Sequence, residues 1–200
     1  MAARGHDVLM FDHTVDKLPE AHERFTWFRE GIASYSAPER KLFTLAEHVK
    51  RLPPGCDDAI LKMDVEGDEW GVFDTASMDL LCRFEQIAFE LHDLVRLEEN
   101  DFNFVARNAL AKLASCFTLC HVHANNFGNI GVIANCFPIP ETLELTYIRT
   151  ERITRVPSTT LYPTELDHPN FHQFPELMMW YFPFIPGSDT IKFPAFTPAS

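Results

Sequence analysis

The chain has 200 residues, 46% hydrophobic and 23% charged, with a formal net charge of -12. That length suits one domain with a full core, and the acidity, without any basic run, argues against nucleic acid as a partner. No apolar run reaches membrane-spanning length, and the opening MAARGHDVLMFDH lacks the apolar stretch of a signal peptide, so the expectation is a cytoplasmic protein with no membrane partner.

In chain order, "DVLMF" (7–11) predicts a strand running into Asp12, with Gly5 before it closing a short helix. "FTWFREGIA" (25–33) predicts a second strand. "SAPERKLFTLAEHVKRLPPG" predicts a helix capped by Ser36, with Pro38 in its first turn, Leu42, Leu45, Ala46 and Val49 on one face, and Pro53-Pro54-Gly55 ending it. "AILKM" (59–63) is the next strand, and Gly67 to Thr75 starts a helix. "QIAFEL" (86–91) is a strand, and 100–115 a helix burying Phe102, Val105, Ala109, Leu110 and Leu113. "FTLCHVH" (117–123) and "LELTYI" (143–148) complete the strands. Strands separated by helices of this length predict βαβ units and a doubly wound, mostly parallel α/β sheet.

The division expected is an α/β domain over 1–156 and an extension over 157–200 wrapped on it. That extension holds eight of the chain's 14 prolines, with aromatics between them. Five cysteines (Cys56, Cys82, Cys116, Cys120 and Cys136) form an odd set without a framework spacing, which predicts reduced thiols. Cys116 and Cys120 are weak candidates for metal ligands, because one ends a helix and the other lies in a strand.

In an open parallel sheet the ligand crevice lies beyond the carboxyl ends of the strands. Asp12 falls there after the first strand, Ile32 and Ala33 after the second, and Asp64 and Glu66 after the third. Glu90 and His92 follow at the fourth, and His121, His123, Asn125 and Asn126 at the fifth. Residues two apart in a strand share a face, so Glu90/His92 and His121/His123 project as pairs. Plain structural roles compete with functional ones. Asp12 could cap a turn or hold a ribose diol, and Trp70 reads as core. Asp68 and Glu69 favour a helix N-terminus, where the dipole stabilises anions. His121 and His123, each taken alone, read as satisfied strand histidines, while His13, His22, His48, His168 and His172 read as surface or loop residues. Two histidines and three carboxylates could also take a divalent ion, but no HExxH-type spacing supports it, and no metal is expected.

The blocks "ILKMDVEGDEW", "FEQIAFELHDL", "FTLCHVHANNFG" and "ETLELTYIRT", with the tail "YPTELDHPNFHQFPEL", resemble the successive core blocks of FkbM-type S-adenosylmethionine-dependent methyltransferases. The likeness spans most of residues 6 to 185 and is most specific at "KMDVEG". It implies a Rossmann-like methyltransferase fold and S-adenosylmethionine as cofactor. The reaction it implies is methyl transfer to an oxygen of a small molecule or carbohydrate. Asp12 then matches the acid that receives the cofactor ribose, with Ile32 and Ala33 as further cofactor contacts. Asp64 matches the aspartate beside the transferred methyl. Asp64, His92 and His121 become candidate bases, with Glu66, Glu90, His123 and Asn125 around the acceptor. The family's Gly-rich loop has no counterpart here, so the chain is expected to lack the first βα unit of that fold. A strand would then be missing between 7–11 and 59–63, leaving two open edges. A non-catalytic binding module and a metal-dependent enzyme are the alternative functions.

Overall fold

The computed structural model describes residues 1–181 and 183–187; the rest of the expected C-terminal wrap, Phe182 and 188–200, lies outside the described residues. The chain is mixed α/β. A 3-10 turn at Ala2–Arg4 ends on Gly5 in the left-handed region (φ 89°), as its place before a strand suggests. β1 (Val8–Phe11) then pairs in parallel with β2 (Phe25–Phe28). The expected long second strand breaks after Phe28, and β3 (Gly31–Ile32) pairs instead with β4 (Leu42–Phe43).

The helix expected to begin at Ser36 begins at Thr44. Residues 38–40 form a 3-10 turn, and α1 is only Leu45–Val49. The stronger start signal won: Thr44 and Glu47 exchange side-chain and backbone hydrogen bonds in a capping box, which satisfies two orphan N-H groups at once. Ser36 donates to Glu47 Oε1 at 3.2 Å and does not cap.

β5 (Ala59–Met63), β6 (Phe84–Leu91), β7 (Phe117–Ala124) and, after a hairpin of β8 (Ile130–Ile133) and β9 (Phe137–Pro140), β10 (Leu143–Arg149) make up the chain's largest sheet. Its order is β5-β6-β10-β7. β5 pairs in parallel with β6, while β10 runs antiparallel to both β6 and β7. Three strands therefore share one direction and the fourth, inserted between the last two, opposes them. The β1–β2 pair is a separate sheet, and no ladder joins β1 to β5. β5 consequently keeps an edge with no backbone partner among the described residues, a surface on which another strand can pair.

Residue alternation gives this sheet two unlike faces. Ile87, Phe89, Leu91, Val122, Leu145 and Tyr147 point into the main core. There they meet α2 (Glu69–Thr75), α3 (Met78–Leu81) and α4 (Asn100–Cys116) through Trp70, Phe73, Leu81, Ala109 and Leu113. Leu45 and Val49 of α1 join the same cluster. Phe73, Leu81, Ile87 and Leu113 are fully buried, each contributing about 1.5–3 kcal/mol of transfer free energy.

The other face is polar, with Glu90, Glu144, His121 and His123 in neighbouring positions across β6, β10 and β7. Where a doubly wound sheet would carry a second helical layer, this face carries the C-terminal segment. Asp167, Asn170 and Glu176 of that segment bond His121, Glu144 and His123. Asn126 completes the attachment: its amide donates to the carbonyls of Phe171 and Phe174 at 3.0 Å, and its Oδ1 accepts from Phe171 N at 2.9 Å.

Two further expectations are corrected. Cys82 and Cys116 form a disulfide between the ends of α3 and α4, contacts that a separation of 34 residues does not reveal. The remaining cysteines, Cys56, Cys120 and Cys136, are free. His48 is buried, not superficial: Nε2 lies 3.2 Å from the Gly31 carbonyl and its ring 4.2 Å from that of Phe11. Burial lowers its pKa below the ordinary histidine value.

Candidate functional site

The segment Asp64-Val65-Glu66-Gly67-Asp68-Glu69 turns sharply from β5 into α2. Glu66 and Gly67 both take positive φ, 57° and 112°. The first is uncommon for a side chain with a Cβ and costs of order 1 kcal/mol. What compensates is Glu69, whose carboxylate is fully buried. It reaches back to accept from Val65 N and Gly67 N, each at 2.9 Å, so it ties the loop that precedes its own helix. Its Oε1 also lies 3.1 Å from Nδ1 of His92. An ionised carboxylate only accepts, so this contact calls for a hydrogen on Nδ1 of His92. The His92 position is fixed a second time, because Trp70 Nε1-H donates to its carbonyl at 2.8 Å.

Nε2 of His92 faces acid: Glu66 Oε2 is 3.5 Å away and Glu90 Oε1 3.9 Å. Glu90 is buried, accepts from Asn125 Nδ2 at 2.7 Å, and burial raises its pKa above the usual carboxylate value, Asp64 adding to the effect. Beside them opens a cavity of about 470 Å³, lined by Glu66, Glu90 and His92. Asn125, Phe127, Gly128, Asn129, Glu141 and Thr142 complete the lining. Its size is that of a small-molecule site. It lies beyond the carboxyl ends of β5, β6 and β7, where the topology of an open sheet places ligands.

The candidates from sequence divide into three groups. Asp64, Glu66, Glu90, His92 and Asn125 gather here; one oxygen of Asp64, one of Glu69 and one nitrogen of His92 lie within 4.8 Å of one another. His121 and His123 lie on the polar face beneath the C-terminal segment. His121 Nε2 is 2.7 Å from Asp167 Oδ1, and His123 stands between Glu144 (3.3 Å) and Glu176 (3.1 Å). The bond to Glu144 raises the His123 pKa to about 9 against the opposing effect of burial, with Glu176 assisting. Asp12, Ile32 and Ala33 belong to the β1–β4 region. Asp12 Oδ1 accepts from both N and Oγ1 of Thr14, which hold its carboxyl below the usual value, and Ala33 is buried in a small cluster with Ala37 and Leu42.

Glu69 is the residue that sequence reasoning passed over, as one more acid at a helix start. The available signal was its spacing: a carboxylate two and four residues after Gly67 and Val65 can cap N-H groups behind it, in the manner of a capping box. Asn129, Glu141 and Thr142 belong to a hairpin that the sequence did not announce.

No protein-family model, curated protein or solved structure matches this chain.

Proposed function

We propose that the chain is a methyltransferase-like domain of the FkbM type, whose chemistry is methyl transfer from S-adenosylmethionine to an oxygen of a small molecule or carbohydrate. The observation that carries this reading is the Glu69–His92 pair opening on a cavity at the carboxyl ends of the parallel strands. The mostly parallel sheet is in keeping with it: β5, β6 and β7 share one direction and β10 alone opposes them.

The cofactor side does not fit as well. Gly-rich loops cradle such ligands through backbone N-H groups, and the described residues contain none. Asp12 has one oxygen engaged by Thr14, and β1, which carries it, belongs to a different sheet from β5. The described residues thus fit the acceptor side of such a site better than a cofactor cradle.

On the acceptor side the roles follow from geometry. Glu69 fixes the tautomer of His92 and steadies the imidazolium it would become. A ligand hydroxyl within hydrogen-bond reach of Nε2 gives up its proton there, a contribution of about 10²–10⁴ in rate. Asn125 holds Glu90, and Glu90 and Glu66 face the charge that develops on His92. Asp64 is exposed and approaches Glu69 and His92. The Cys82–Cys116 bridge suits an oxidising compartment rather than the cytosol.

The test is transfer of labelled methyl to hydroxylated acceptors by the protein expressed in its native cells from its complete gene. Transfer that falls at least about 10²-fold in His92→Gln and Asp64→Asn supports the reading; its absence, or variants as active as wild type, overturns it. A second reading has one observation in its favour, the approach of Asp64, Glu69 and His92: a divalent-metal enzyme. Glu69 already accepts from two backbone N-H groups and His92, so it is a poor free ligand. Stoichiometric metal in the purified protein, lost with His92→Gln, would favour that reading.

A further inference from the structure

We propose that the acceptor cavity selects an amine-bearing, hydroxylated ligand, an amino sugar being its simplest form, with the ammonium group held by Glu90 and Glu66 and the ring's apolar face laid on Phe127. The inference rests on the acceptor-site reading above and goes beyond it by naming the charge of the ligand.

Three features of the cavity carry it. Its lining holds three carboxylates, Glu66, Glu90 and Glu141, and not one lysine or arginine. An anionic ligand, such as a phosphate ester or a uronic acid, would meet only repulsion there. Glu90 is 8% exposed, and its bonds to Asn125 and its approach to His92 both use Oε1. Among the described residues Oε2 has no hydrogen-bond partner, so a largely buried carboxylate lining the cavity keeps an acceptor free. A largely buried charge without a full cationic partner is costly. An ammonium group supplies the missing charge and donors.

The third feature is Phe127, which is 68% exposed beside this polar lining. Its position is built rather than accidental. Phe127 N donates to Asn125 Oδ1 at 2.9 Å, its ring packs edge-on against Phe171 at 5.4 Å, and the neighbouring Asn126 is pinned to the C-terminal segment. A fixed, exposed aromatic face next to carboxylates and amides suits a ring with one apolar side and polar edges, and a cation near that face gains further attraction. Asn129 and Thr142 add hydrogen-bonding groups for hydroxyls.

Binding needs no methyl donor, so a ligand titration fails independently of the methyltransferase reading. Calorimetry or NMR titration with glucosamine, glucose and glucuronate is the experiment. Glucosamine should bind at least about tenfold tighter than glucose, equivalent to 1.4 kcal/mol, and glucuronate weakest. The net charge of -12 attracts any cation to some degree, so the variants decide. Glu90→Gln should remove most of the preference for glucosamine over glucose. Glu66→Gln, at a side chain 87% exposed and so safe for folding, should reduce it, and Phe127→Ala should weaken both sugars together. Equal affinity for glucose and glucosamine, a preference unchanged in both glutamate variants, or no saturable binding of glucosamine would overturn the proposal. So would displacement of glucosamine by magnesium alone at lower concentration, which would assign the carboxylates to a metal.

Discussion

Replacing Glu69 by Gln keeps the shape of the side chain and removes its charge. In the folded protein the carboxylate serves Val65 N and His92 Nδ1 through one oxygen and Gly67 N through the other. An amide can keep only one of those oxygens. The least damaging rotamer keeps Val65 and His92 and turns its NH₂ toward Gly67 N-H, so a buried donor loses its acceptor, at about 1–3 kcal/mol. The two surviving bonds lose their charge assistance, roughly halving each. At about 0.5–1.5 kcal/mol lost from each of those two bonds, the sum is about 2–6 kcal/mol, and at about 2–4 °C per kcal/mol for a chain of this size the melting temperature should fall by about 4–24 °C. Asp68→Asn, one residue earlier and exposed, makes no side-chain cap bond and should cost only a few tenths of a kcal/mol. Urea and thermal melts followed by circular dichroism compare the two. Equal stabilities for Glu69→Gln and Asp68→Asn would refute the assignment of Glu69 as the tie of this loop.

Other outcomes follow from the same structure. His123 has a folded pKa near 9, above its unfolded value, so its contribution is complete below about pH 6.5 and is lost as pH rises through 9. Stability should therefore decline across that window by about 3 kcal/mol, and His123→Gln should flatten the decline. Asn126→Ala leaves the carbonyls of Phe171 and Phe174 without their donor; limited proteolysis should then cut within 165–175 faster than in wild type, and an unchanged cleavage rate would show that the attachment lies elsewhere. The open edge of β5 should promote association, so sedimentation should show dimers or larger species growing with concentration, and a monomer at every concentration would mean that the edge is covered. Without a Gly-rich cradle, S-adenosylhomocysteine should bind these 200 residues more weakly than about 1 mM, and micromolar affinity by calorimetry would show that the cofactor side is complete after all.

Much of the sheet was readable because its signals are local. "AILKM", "QIAFEL", "FTLCHVH" and "LELTYI" are short runs rich in apolar and β-branched residues, and they are the strands β5, β6, β7 and β10. The direction of β10 was not readable: pairing is set by tertiary contact, and the hairpin β8–β9 that turns the chain round carries weak patterns such as "IGVI" and "FPIP". Around the site, the position of Asp64, Glu90, His92 and Asn125 at strand ends followed from topology alone. Which histidine would face the cavity did not. His121 and His123 share the strand-end address of His92, but Asp167 and Glu176, more than forty residues away in sequence, bind them to the C-terminal segment. Long-range partners of this kind leave no trace in spacing, and the same holds for the Cys82–Cys116 bridge.

The proposed chemistry turns on one proton. If Glu69 accepts from Nδ1-H, the neutral His92 ring must be the Nδ1-H tautomer, with Nε2 free to take a hydroxyl proton. Two-bond ¹H–¹⁵N correlation of the histidine rings, at a pH alkaline enough for neutral imidazole and with His92→Gln to assign the signal, reports this directly. An Nδ1-H tautomer for His92 that persists in Glu69→Gln, whose amide oxygen still accepts, and is lost in Glu69→Leu is the expected result. An Nε2-H tautomer in the wild-type protein would leave the cavity without its base and contradict the assignment of His92.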